Sequence, residues 1–224
     1  TVPYRANIFA MKTLGVTRII SVSAVGSMKE EIHPGHVVLP DQFIDRTVGR
    51  ERTFFDDGIA AHVGFGDPVC APTRAVLKTS VEATDVIAHD GGTYICIEGP
   101  QFSTRAESLL FRSWGVSVIG MTNLPEARLA REAEICYATI ALSTDYDCWH
   151  EEEADVTVDA VLETLRTNVA NAKQILRNAI LAMPTSPSDC GCRTALTGAV
   201  MTSREALSDD LRARLAPLIG RIEL

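Results

Sequence analysis

"ICYATIALSTDYDCW", residues 135–149, contains the clearest strand in the chain and the two carboxylates that follow it. Residues 135–143 are apolar or small, with β-branched and aromatic side chains among them. That composition fits a strand buried on both faces, as in sheets covered by helices on each side. The run ends in Asp145 and Asp147. Side chains alternate along a strand, so positions i and i+2 share a face, and the spacing predicts two carboxyl groups side by side. A turn accounts for them equally well, since Asp suits loops and caps and the acidic "HEEEAD" (150–155) follows.

Helical and strand patterns alternate on both sides of this stretch. "PYRANIFAMKTLG" (3–15) reads as a helix ending at Gly15, followed by the strand "RIISVSAVGS" (18–27). "HVVLPDQFID" (36–45) reads as a second strand with a proline inside, hence an edge or a bend. A loop with few apolar residues (47–72) and a helix (73–84) follow. Next come the strand "TYICIEGP" (93–100), the helix "RAESLLFRSWG" (105–115), which Ser103 could start, and the strand "VSVIGM" (116–121). "NLPEARLAREA" (123–133) predicts a helix with Asn123 as cap, Pro125 in the first turn and Glu126 three residues after the cap. Residues 157–183 predict a long amphipathic helix. "PTSPSDCGCRTALTG" (184–198) reads as a mobile connection, and a shorter helix closes the chain. The pattern predicts an α/β sandwich around a mixed sheet flanked by helices. Residues 1–224 are expected to form one domain, with 184–224 as its C-terminal connection and helix.

Composition sets the bounds on function. The chain has 224 residues, 46% apolar and 22% charged, enough to bury a large core without staples. A net charge of −8 without a compensating basic stripe argues against nucleic-acid or membrane-surface binding. An anionic substrate would need a nest of backbone N–H groups or a few placed cations. No apolar run reaches the 18 residues of a membrane helix. The six cysteines, Cys70, Cys96, Cys136, Cys148, Cys190 and Cys192, fit no zinc spacing, because no second pair or nearby His accompanies "CGC". Scattered thiols, read as mostly strand-embedded, suggest a reducing cytoplasm.

In α/β sheets ligands gather at the carboxyl ends of strands. Four predicted ends carry polar or small groups: "SAVGS" (23–27), "EGPQF" (98–102), "GMTN" (120–123) and "TDYD" (144–147). Ser23 and the Ala24 amide could hold an anion, or simply form a tight turn. Phe102 could stack on a flat ring or pack in the core. Met121 offers a soft apolar contact, and Thr122 a hydroxyl at a helix N-terminus. His33, His36, His62, His89 and His150 fall in or near predicted loops, so a Ser/His/Asp relay is hard to assemble. The inventory suits a flat nitrogen heterocycle beside a sugar and an anion.

Together, "EGPQFSTRAES" (98–108) and "GMTNLPEARLAREAEICYATIALSTDYDCW" (120–149) strongly resemble the trimeric purine nucleoside phosphorylases, specifically the 5′-methylthioadenosine phosphorylases. The similarity runs from "YRANIFAMK" to about Ala182 and is looser beyond. Two positions separate the subfamilies: the 6-oxopurine enzymes carry Glu where this chain has Ser103, and Asn where it has Asp145. The resemblance implies a three-layer sandwich with a partly barrel-like sheet, acting on 5′-methylthioadenosine with inorganic phosphate as co-substrate and with no metal or organic cofactor. It implies a homotrimer, with His62 reaching a neighbouring subunit's site. Ser23, Ala24 and Thr122 would contact phosphate, Met121 the ribose and Phe102 the base. Val158 and Val161 would line the 5′-methylthio pocket. A protonated Asp145 would donate to N7 while ionised Asp147 accepts from the 6-amino group. Methylthioinosine or other purine nucleosides, or a catalytically inactive nucleoside-binding subunit, are the alternatives. Family members begin with a strand, a glycine-rich phosphate loop and an Arg-His pair ahead of the "YRAN" helix. This sequence starts after them, and the expectation is an N-terminally incomplete domain with a weakened phosphate site.

Overall fold

Strand β7, Cys136–Asp145, is buried at every position except its last. The computed structural model describes residues 2–150, 158–186 and 189–220. β7 lies inside a seven-stranded mixed sheet with β1 (Arg18–Ser27), β2 (Val37–Leu39), β3 (Gln42–Arg46), β4 (Ala88–Asp90), β5 (Thr93–Ile97) and β6 (Val118–Gly120). The spatial order is β3-β5-β6-β1-β7-β2-β4. β1 runs parallel to β7 from Arg18 opposite Cys136 onward, and antiparallel to β6 through its last two residues.

Pro40 decides the shape of the sheet. It lacks an N–H for a ladder, and the expected single strand 36–45 is in fact two: β2 ends at Leu39 and β3 starts at Gln42. β2 pairs with β7 and β4, whereas β3 pairs with β5 at the other end of the order. In a flat sheet five strand spacings separate β3 from β2, about 24 Å. The three Cα steps from Leu39 to Gln42 reach at most about 11 Å. The sheet therefore curls until its ends meet, and hydrogen bonds across the join confirm it: Gly91 N donates to Leu39 O (2.9 Å) and Asp41 N to Gly92 O (3.2 Å). This is the partly barrel-like sheet that the resemblance implies. β4, unseen in the sequence pattern, is a three-residue strand completing this edge.

Helices cover both faces. Successive residues of β7 alternate between two cores, Tyr137 and Ala141 facing one, Ala138, Ile140 and Leu142 the other. Leu77 and Val81 of α2 (Ala71–Glu82) and Ile175 and Ala179 of α5 (Val158–Ala182) fill the second. The first takes Ile8 of α1 (Tyr4–Thr13), Leu129 of α4 (Glu126–Glu132), and Leu211 and Leu215 of α6 (Asp209–Ile219). Fully burying each such side chain is worth about 1.5–3 kcal/mol. α3 (Arg105–Ser113) adds Phe111 to a third cluster with Ile95, Ile119 and Trp149. No helix among the described residues is long and apolar enough to cross a membrane.

Several local expectations need correction. Asn123 does not cap α4, which starts after Pro125 without a side-chain cap. Asn123 is fully buried instead, and its Oδ1 accepts from Ser21 Oγ and Tyr137 OH, both at 3.1 Å. Thr104, not Ser103, caps α3, in a reciprocal capping box with Glu107. The loop between β3 and α2 sends Phe54, Phe55 and Ile59 into the core. The connection after α5, expected to be mobile, is packed at Cys192 and Leu196, and Leu196 N donates to Glu134 Oε1 at 3.2 Å. Only Cys96 and Cys136 lie in strands. Cys70, Cys136, Cys190 and Cys192, expected to be scattered, converge on one point. Sequence spacing missed them because three chain segments supply them.

Gly120 is the tightest point in the sheet, since a Cβ there would lie 2.0 Å from the Tyr94 hydroxyl. Tyr94 is fully buried and cannot swing into solvent. Gly120→Ala is expected to destabilise the protein by about 1–3 kcal/mol through overpacking. The urea midpoint measures this, and an unchanged midpoint would show that β6 shifts freely.

Candidate active site

The curled sheet brings the ends of β1, β5, β6 and β7 together. Ser23, on β1 and buried, has its Oγ 2.9 Å from Thr122 Oγ1 and 3.0 Å from Tyr94 OH. The Thr122 N–H donates to the same phenol at 3.5 Å. Burial, with the Cys96 thiol adding to it, pushes the Tyr94 phenol up to about 12. Tyr94 therefore remains an O–H donor near neutral pH. The result is a cluster of three hydroxyls at the end of β6, with Thr122 exposed and Ala24 next to Ser23 exposed on β1. Tyr94 was read only as a strand residue. Its ladder partner is Val118, and its hydroxyl reaches along β6 to Gly120, whose missing side chain leaves room for the phenol.

Arg50 was also missed, and nothing in "VGRER" (48–52) flags it. Its Nη1 donates to Met121 O (2.7 Å) and to Leu124 O, its Nη2 to Glu98 O (2.8 Å) and its Nε to Glu98 Oε1 (3.0 Å). One guanidinium thus holds the segments after β5 and β6 at fixed spacing. Glu98 also accepts from the Val48 and Gly49 amides, which together with Arg50 hold its carboxyl down at about 2. Gly99 takes a left-handed conformation (φ 67°), and a Cβ there would lie 2.5 Å from Met121 Sδ. Met121 thereby packs directly on the backbone before Phe102, which is 85% exposed.

The two aspartates do meet, by a different route from strand alternation. β7 stops at Asp145, and Asp147 opens a short 3₁₀ turn, Asp147–Trp149, in a left-handed conformation (φ 53°). The Asp147 backbone N–H donates to Asp145 Oδ1 at 2.9 Å. Thr144 Oγ1 donates to Asp145 Oδ2 at 2.6 Å. Ser108 Oγ, fully buried on α3, donates to Asp147 Oδ2 at 2.6 Å, and Trp149 Nε1 fixes the turn through Ser27 O at 2.7 Å. Gly26 sits opposite Asp145 after a register shift that leaves Thr144 of β7 without a partner on β1, and a Cβ at Gly26 would lie 3.0 Å from Asp145 Oδ1. Burial pushes the Asp147 carboxyl up from the ordinary aspartate range, and the neighbouring Asp145 charge adds to it, against the Ser108 bond. From Ser23 to Gly26, β1 spans about 10 Å. The strand position facing the carboxyl pair and the one carrying the hydroxyl cluster thus lie three residues apart on β1.

Other expected residues are placed differently. His62 is exposed, and its backbone N–H bonds Ala199 O (2.8 Å) on the segment before α6. Its hydrogen bond ties it to that segment, not to the strand ends. Val158 and Val161 lie at the start of α5, and their side chains are outside the described residues. The Ser103 hydroxyl is buried without a hydrogen-bond partner among the described residues, while Ser103 O accepts from Cys148 Sγ at 3.4 Å. The histidines are closer to the site than expected. His33 Nδ1 hydrogen-bonds the hydroxyl of Tyr146, the residue between the two aspartates, and His150 stacks on the Tyr146 ring (4.6 Å between centroids). His89 lies in β4 and meets His36 at 3.0 Å. A cleft of about 440 Å³ beside Arg5, Phe9, Phe54 and Arg214 shares no residue with the strand-end group.

The comparisons agree with this geometry. The phosphorylase superfamily model matches residues 1–181. The S-methyl-5′-thioadenosine phosphorylase of Geobacter sulfurreducens is 59% identical over 98% of this chain and 77% of its own length. That of Koribacter versatilis is 54% identical over 97% of this chain and 74% of its own length. A crystal structure of a methylthioadenosine phosphorylase from an antarctic soil metagenomic library superposes with a TM-score of 0.93 at 49% identity, covering 97% of this chain and 77% of that one. The methylthioadenosine phosphorylase from Schistosoma mansoni, in complex with adenine, gives 0.83 at 34% identity, covering 88% and 78%. The chain belongs to the phosphorylase superfamily and, within it, to the S-methyl-5′-thioadenosine phosphorylases.

Proposed function

We propose that the protein catalyses phosphorolysis of 5′-methylthioadenosine, giving adenine and 5-methylthioribose 1-phosphate, as a cytoplasmic enzyme of purine and methionine salvage. The observation that carries this reading is the carboxyl pair at the end of β7, about 10 Å along β1 from the hydroxyl cluster. Phosphate held by Ser23, the Ala24 amide and Thr122 attacks C1′ while the C1′–N9 bond breaks and its electrons pass to the purine. Protonation of N7 removes the charge that builds on the leaving base. Adenine offers an acceptor at N7 and a donor at its 6-amino group. Asp147 accepts from the amino group and Asp145 delivers the proton to N7. Met121 lies against the ribose, Phe102 near the base, and Val158 and Val161 around the 5′-methylthio group. The unpartnered Ser103 hydroxyl, where 6-oxopurine enzymes carry Glu, suits a substrate contact near the base.

Asp145→Asn is expected to lower phosphate-dependent release of adenine from methylthioadenosine about a hundredfold or more, the scale of a lost general acid. Inosine cleavage, measured in parallel, is expected to be spared or improved, because an amide can donate to a 6-oxo group. Wild-type cleavage of methylthioadenosine by this variant would remove Asp145 from the mechanism.

The pH profile tests Asp147. It must be ionised to accept from the amino group, so kcat/KM falls as pH drops through its raised pKa. The Ser108 hydroxyl favours the charged form, and Ser108→Ala should move this acid limb to higher pH. An acid limb that stays in place would mean that another group sets it.

We also propose a homotrimer in which His62 completes the neighbouring subunit's site. Exposed Phe102 before α3, Leu109 and Leu110 on it and Trp114 at its C-terminal end supply apolar surface that a second copy would cover. Light scattering is expected to give three chain masses, and a fully active species of one chain mass would overturn the assembly. In the trimer, His62→Ala should raise KM more than it lowers kcat.

A further inference from the structure

The four sulfurs of Cys70, Cys136, Cys190 and Cys192 all lie within 4.8 Å of one another. Cys70 immediately precedes α2, Cys136 opens β7, and Cys190 and Cys192 flank Gly191 in the turn after α5. Cys136 and Cys190 Sγ are 3.5 Å apart, and Cys70 and Cys190 Sγ 3.9 Å. A tetrahedral zinc with Zn–S bonds of about 2.3 Å sets its sulfurs about 3.8 Å apart. A disulfide needs about 2.05 Å. Cys70, Cys136 and Cys192 are buried, and Cys190 is half-buried. We propose that these four thiolates form a structural zinc site, unrelated to the phosphorolysis chemistry and independent of that reading.

The surroundings suit thiolates. Cys70 stands at the N-terminus of a 12-residue helix, where the dipole favours negative charge, and the buried Thr73 hydroxyl donates to its sulfur at 3.2 Å. A soft divalent cation at the centre of the cluster would draw on all four sulfurs. On binding, the four S–H groups lose their protons to solvent, four Zn–S bonds form, and the ion sheds its waters, with no change of oxidation state. Four protein ligands leave no open position, which is the mark of a structural centre. The location agrees. Cys136 and Asp145 are the two ends of β7, about 30 Å apart. The ion would tie the loop before α2 and the segment leading to α6 to the amino end of the central strand.

The test uses the full-length protein, purified with reductant and without chelator, then loaded with zinc and desalted. Elemental analysis is expected to give one zinc per chain, and denatured protein to titrate six thiols. Cobalt in place of zinc should give the thiolate charge-transfer and visible bands of a tetrahedral S4 centre. Chelation should lower Tm by about 5 °C or more, with recovery on adding zinc. Cys192→Ser should lose the metal and show the same lower Tm, while keeping kcat/KM at 25 °C within about twofold. Should that variant fail to fold, the chelation and cobalt measurements on the wild-type chain decide alone. Substoichiometric metal after loading, or two titratable thiols in the protein as isolated, would overturn the proposal in favour of free thiols or disulfides respectively.

Discussion

The parallel ladder between β1 and β7 is the constraint from which the rest of the molecule follows. It runs in register from Arg18 opposite Cys136 to Val25 opposite Ser143, then slips so that Gly26 faces Asp145. That slip brings the end of β1 close to the carboxylates, and a side chain at Gly26 would press on Asp145 and Ile119. The same ladder fixes Ser23 on one side and carries the two cores on its faces. A register error of one residue would turn Tyr137 and Ala141 toward the wrong core and move Ser23 out of reach of Tyr94.

Regular elements were readable where periodicity was strong. The helix at 4–13, the strands at 18–27 and 136–145, and the long helix from 158 all follow from local pattern. Pro40 was seen, but its effect was not: a proline forbids a ladder bond, while which strands its two sides join depends on the whole sheet. Asn123 was read as a cap because cap chemistry is local, whereas its real partners, Ser21 and Tyr137, come from distant strands. The site divides in the same way. Asp145 and Asp147 stood out as paired carboxylates, yet their approach depends on a left-handed turn and on Ser108 from another helix. Arg50, Tyr94 and the four-thiol cluster escaped notice because each acquires meaning only through partners far away in sequence. The division between subfamilies rested on the chemistry of two side chains, Ser103 and Asp145, and was legible without any geometry.

Rigidity around the site has a clear physical origin. Arg50 reaches carbonyls of Met121, Leu124 and Glu98, so the segments after β5 and β6 are held by one half-buried, permanently charged group. Buried charge is tolerated here because each N–H direction finds an oxygen. Met121 and Gly99 are then pressed together, which leaves the exposed Phe102 segment as the adaptable wall of the site.

The separation of β1 from its principal partner bears on how the protein is made. The 118 residues that follow Ser21 up to and including Thr139, its hydrogen-bond partner across the ladder, must all be synthesised before that ladder can form. At about 5–20 residues per second, β1 waits roughly 6 to 24 seconds on the ribosome with both faces unpaired. During that interval "RIISVSAVGS" is an apolar segment of high β-propensity and low charge, the kind that adds to neighbouring chains. The sheet that holds the site together in the finished molecule is therefore a hazard in the unfinished one.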